Sequence, residues 1–178
     1  MEAKEVELTE IKDGLLNVFN VKTIDEIFEP MFQSIICCNN QIYRKYVQLV
    51  RGDLSRDYLQ KVYQYYSADR ENLGQDYTPT TLGKLLGTLT CLDDIVDLCA
   101  GSGALTIQAW NINPNREFTC YEIDGRAITF LLFNLCVRNI AGYVYHQNIF
   151  NTQHSKIYQL TKGTEYSLVQ EVSNGSNH

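Results

Sequence analysis

The sequence predicts an α/β fold: a partial, Rossmann-like parallel sheet with an N-terminal helical region before it and a C-terminal β-hairpin after it. Three observations carry this expectation. Residues 94–105, Asp-Ile-Val-Asp-Leu-Cys-Ala-Gly-Ser-Gly-Ala-Leu, read as a short strand, a glycine turn and the start of a helix. Strand and helix patterns then alternate as far as residue 147, which implies parallel pairing. Apolar residues before position 67 recur at helical spacing.

In the first part, Leu8, Ile11, Leu15 and Phe19 share one face of a helix over residues 5–20, a face that meets either the core or a partner. Thr23-Ile-Asp-Glu26 spells a capping box, in which hydroxyl and carboxylate satisfy free N–H groups at a helix start. Ile24, Ile27, Phe28, Met31 and Ile35 follow at helical spacing, and Pro30, having no N–H, is expected to kink or restart that helix. Asn39-Asn40 breaks the pattern, Ile42, Tyr43, Tyr46, Val47 and Val50 resume it, and Gly52 ends it. Leu59, Val62, Tyr63 and Tyr66 mark a further helix whose tyrosines read as a packing face rather than as base-stacking rings. Residues 67–75 are polar and read as a linker, which divides the chain into a helical region, 1–73, a ligand-binding domain, 74–172, and a disordered tail, 173–178.

Within the second region the pattern predicts a helix near 80–90, a strand at 94–98, a helix at 103–111, a strand at 117–122, a helix at 125–139 and a strand at 143–147. Residues 156–172 alternate around Lys162-Gly163 as a β-hairpin.

Composition narrows the class. The chain has 178 residues, 44% of them hydrophobic, so it can bury a sizeable core, yet no run is long enough to span a membrane. Its acidic start lacks a hydrophobic signal core, and the six cysteines show no Cys-x-x-Cys spacing, so reduced thiols, a cytoplasmic location and no metal site are expected. A net charge of −6 argues against autonomous binding to a nucleic-acid backbone.

The glycine turn carries the functional signal. Gly101 and Gly103 let the backbone approach a ligand, but Thr106 stands where a dinucleotide fingerprint needs a third glycine. About 20 residues on, the second strand ends in Glu122 and Asp124, at the position where an acid can accept hydrogen bonds from ribose hydroxyls. Upstream stands Gly74-Gln-Asp-Tyr-Thr-Pro79. Together, Gly-x-Tyr-Thr-Pro, Asp97-x-x-x-Gly101-x-Gly103 and the acidic second strand resemble adenine-N6 DNA methyltransferases, above all the modification subunits of type I restriction systems.

That resemblance implies a class I methyltransferase sheet and S-adenosylmethionine as cofactor. Tyr77 and Thr78 would lie at the methionine carboxylate, and Asp97 would order the turn and engage the amino group. Cys99, Gly101 and Gly103 would run under the methionine part, Glu122 would take the ribose, and Ile123 would pack on the adenine. Asn148 is open between meeting the adenine amine and serving as an ordinary turn residue.

The family pattern then stops. Its members hold the target amine with Asn-Pro-Pro-Phe or Asp-Pro-Pro-Tyr, and this sequence, with prolines only at 30, 79 and 114, has no Pro-Pro. No catalytic residue can be assigned; Tyr158 and Tyr166 are the first substitutes to consider. The expectation is an S-adenosylmethionine-binding protein related to DNA modification and restriction that is catalytically deficient alone. The alternative is a non-catalytic cofactor-sensing or protein-interaction module derived from a methyltransferase. The expected partners are DNA reached through a partner subunit and a homodimer or modification-complex partner, with no membrane; either the hairpin at 156–172 folds back to close the short sheet or such a partner closes it.

Overall fold

The computed structural model describes residues 7–66 and 94–172; the linker at 67–75, the Gly74–Pro79 element with Tyr77 and Thr78, the helix near 80–90 and the tail lie outside them. The architecture is the α/β one that the sequence predicts. Four helices come first: α1 (Leu8–Phe19), α2 (Phe28–Ile36), α3 (Asn40–Leu49) and α4 (Tyr58–Tyr66), with a 3-10 turn at Ile24–Glu26. The second part runs β1 (Asp94–Asp97), α5 (Ala104–Ile112), β2 (Glu117–Glu122), α6 (Gly125–Val137), β3 (Gly142–Asn148), β4 (Asn151–Thr161) and β5 (Leu168–Val172).

The five strands form one sheet in chain order. β1, β2 and β3 are parallel, joined by α5 and α6, and β4 and β5 add antiparallel strands beyond β3. The hairpin therefore folds back and closes the β3 edge. Its first strand begins at Asn151, earlier than the expected residue 156; the sequence of 151–155 is polar throughout and offers no alternation to read. Among the described residues the outer edge of β1 carries no strand.

The core explains the layering. The sequence of α6, Gly-Arg-Ala-Ile-Thr-Phe-Leu-Leu-Phe-Asn-Leu-Cys-Val, is apolar all round, and a helix of that kind must be covered on every side. Every residue from Ala127 to Val137 is buried. The sheet covers one side with Phe118, Cys120 and Val144, and the N-terminal helices cover the other. Phe133 sits at the centre, edge-on to Phe19, Tyr43 and Tyr46 with ring centroids 5.9, 5.4 and 5.1 Å away.

Two expectations that the sequence left open are decided by the structure. The face of α1 that could have met a partner is turned inward: Ile11, Leu15 and Phe19 belong to the chain's own core, and Leu8 packs against it. Pro30 restarts the helix rather than kinking it: after the 3-10 turn at Ile24–Glu26, α2 begins at Phe28 and places Pro30 in its first turn, where an N–H has no intrahelical partner to lose. The capping box is shifted by one residue on its carboxylate side. Glu26 Oε2 accepts from the Lys22 N–H at 2.9 Å, whereas Thr23 makes no side-chain cap.

Candidate cofactor site

The carboxyl ends of β1, β2 and β3 and the turn after β1 build the site. Gly101 and Gly103 adopt φ of 56° and 97°, the left-handed region that a side chain disfavours, and a Cβ on Gly103 would also press on Leu131. The turn is tied to the neighbouring strand by the Ala100 N–H, which donates to the Tyr121 carbonyl at 2.9 Å.

Glu122 lies beside this turn. One carboxylate oxygen accepts from the Gly101 N–H at 2.7 Å, and the other accepts from the Ile123 and Asp124 N–H groups at 2.8 Å each. Three backbone donors thus fix an acid that has lone-pair capacity to spare. Asp124 does a different job: its Oδ1 accepts from the Arg126 N–H at 2.8 Å and caps α6.

Asp97, at the end of β1, accepts from the Cys99 N–H at 3.4 Å and from the Thr106 hydroxyl at 3.2 Å. Burial raises its pKa above the usual carboxylate range; the Cys99 and Thr106 hydrogen bonds pull it back, and the nearby Glu122 carboxylate pushes it up again. Thr106, the residue that breaks the dinucleotide fingerprint, is the one that orients Asp97.

The rim is apolar and exposed. Leu98, Ile123 and Phe150 follow β1, β2 and β3, with Phe150 92% accessible, and Cys99 is exposed between Leu98 and the turn. Asn148 closes the turn after β3, its Oδ1 accepting from the Phe150 N–H at 2.9 Å, which is the turn role that the sequence left open. His146, paired across the sheet with Glu122, places a ring nitrogen 3.1 Å from the Ile123 carbonyl.

The structure brings Asp97, Cys99, Gly101, Gly103, Glu122 and Ile123 together at one end of the sheet, with Asn148 on the neighbouring strand end. Sequence reading missed Thr106, His146 and Phe150. A threonine at the missing glycine and an aromatic residue directly after a strand were the signals available. Tyr158 and Tyr166 are not at the site, since Tyr158 packs on Phe32 and Tyr166 on Tyr43.

A fixed carboxylate acceptor, a second half-buried acid, a close-approach backbone turn and an apolar rim suit a ligand with neighbouring hydroxyls, an amino group and a flat ring. S-Adenosylmethionine has all three. Residues 78–161, somewhat less than half of the chain, match the family model of the methyltransferase small domain. That match supports an S-adenosylmethionine-dependent methyltransferase family for this segment, and the sheet and turn agree with it. No curated protein and no solved structure matches the chain.

Among the described residues there is no cluster of His, Cys, Asp and Glu suited to a metal ion, and no helix long and apolar enough to cross a membrane.

Proposed function

We propose that this protein binds S-adenosylmethionine and serves adenine-N6 DNA modification, within a restriction-modification setting, without transferring the methyl group by itself. The observation that carries the reading is the Glu122 carboxylate clamped to the Gly101 N–H at the end of β2, which joins the ribose acid to the cofactor turn. In this reading Glu122 accepts the ribose hydroxyls, Asp97 the amino group, and Ile123 and Phe150 flank the adenine. Tyr77 and Thr78 would meet the carboxylate.

Transfer needs an acceptor nitrogen held in line with the sulfonium methyl group, and the sequence in hand carries no Pro-Pro-aromatic loop to hold a flipped base. In open α/β sheets a ligand sits in a crevice where neighbouring strands diverge, and among the described residues no strand forms the far wall of a site beside β1. We assign that wall to a partner subunit, which would also bring the DNA, since a net charge of −6 gives this chain little affinity for phosphates. The missing loop also favours a second reading, a cofactor-sensing module with no transfer step.

Labelled S-adenosylmethionine tests both parts. The purified protein should retain cofactor on a filter and incorporate no methyl label into mixed DNA, and light scattering with the added partner should show a complex. Failure to retain cofactor overturns the proposal; label in DNA from the protein alone overturns the need for a partner, and a homodimer would make the partner a second copy.

A further inference from the structure

A buried polar network connects the helical region to the glycine turn. The short segment before α4 is pinned to the α/β layer at successive carbonyls: Leu54 and Arg56 accept from the Arg138 guanidinium at 2.9 and 2.8 Å. Ser55 accepts from Gln108 at 3.1 Å and from Asn111 at 2.7 Å. Asp57 then reaches the turn. Its Oδ2 accepts from the Ser102 hydroxyl at 2.7 Å, and its Oδ1 accepts from the Gln60 N–H at 2.8 Å and from Asn134 Nδ2 at 2.9 Å.

Ser102 is held twice. Its carbonyl accepts from the same Asn134 nitrogen at 2.9 Å, while Arg138 donates to Asn134 Oδ1 at 2.9 Å. Asp57, Ser102, Asn134 and Arg138 are all buried, so a broken link leaves groups without water to replace it. Ser102 lies between two glycines, which have the weakest conformational preferences of any residues. The Gly101 N–H that meets the Glu122 carboxylate is therefore held from one side by the Ala100 bond to β2 and from the other by the anchors on Ser102.

We infer that Asp57, carried by the helical region, is a positioning residue for the cofactor turn and acts through Ser102. This rests on the cofactor reading above. It makes the helical region part of the binding apparatus, although no residue of that region needs to touch the ligand. Burial raises the Asp57 pKa, and the Ser102, Gln60 and Asn134 hydrogen bonds and the Arg138 charge oppose it. A carboxylate kept in such a place is one that the turn depends on.

Two readouts on Asp57→Ala, Ser102→Ala and the double variant test the link. Calorimetric titration with S-adenosylmethionine should show each single variant binding about tenfold more weakly, and the double variant no weaker than the worse single one, because both changes cut the same link. Hydrogen exchange without cofactor should rise at the amides of residues 101–103 in all three, with α5 and β2 unchanged. A folded Ser102→Ala protein with wild-type affinity and wild-type exchange would overturn the inference, as would losses that multiply in the double variant. Wild-type protein that binds no cofactor removes the functional reading, while the exchange arm still judges whether Asp57 holds the turn.

Discussion

Asp97 shows how much a single residue must reconcile. In the proposed reading the site uses its negative charge, while the fold half-buries it. A carboxyl whose folded pKa is raised favours the folded state below its unfolded value of about 3.9, and that contribution is lost as pH rises through the folded value. Asp97→Asn cannot titrate. The difference in unfolding free energy between the variant and the wild type should therefore move in the variant's favour between pH 3 and pH 7, measured by urea titration at each pH, while cofactor affinity at pH 7 falls. A constant difference across that range would show that burial does not govern Asp97.

Residues of this kind differ in how legible they were. Glu122 and Gly101 could be read because each occupies a local pattern, a strand end and a turn. Asp57 and Ser102 could not, because a hydroxyl and a carboxylate 45 positions apart carry no mutual spacing signal.

At the scale of elements, α6 gave both a clear signal and a hidden one. Its nearly all-round apolar sequence is that of a buried helix, and it lies between the sheet and the four N-terminal helices. Asn134 was the exception, a polar residue in an apolar helix, and its three partners explain it: Asp57, the Ser102 carbonyl and Arg138. Asn134→Leu makes the helix more apolar yet should destabilise the protein, by about 1–3 kcal/mol for each buried group left unpaired. A denaturation midpoint at or above the wild-type value would show that the network is dispensable. The inward face of α1 teaches a related point, since helical periodicity identifies an apolar face without saying what covers it.

The whole molecule has one continuous core that takes in both the helical region and the sheet. The parallel core of the sheet was legible from the alternation of elements and the hairpin from its own period-two pattern, whereas strand order and the closure of the β3 edge had to come from the structure. The tie between the helical layer and the turn was not, for it depends on tertiary packing. The central claim is that this sheet end is a cofactor site governed by Glu122, and calorimetric titration of S-adenosylmethionine into wild-type and Glu122→Ala protein, with folding of both checked by circular dichroism, tests it most directly. The account predicts saturable one-to-one binding by the wild type and a loss of about 1.5–3 kcal/mol in the variant, on the order of 10- to 150-fold. Equal affinity in two folded proteins, or no binding to the wild type, would contradict it.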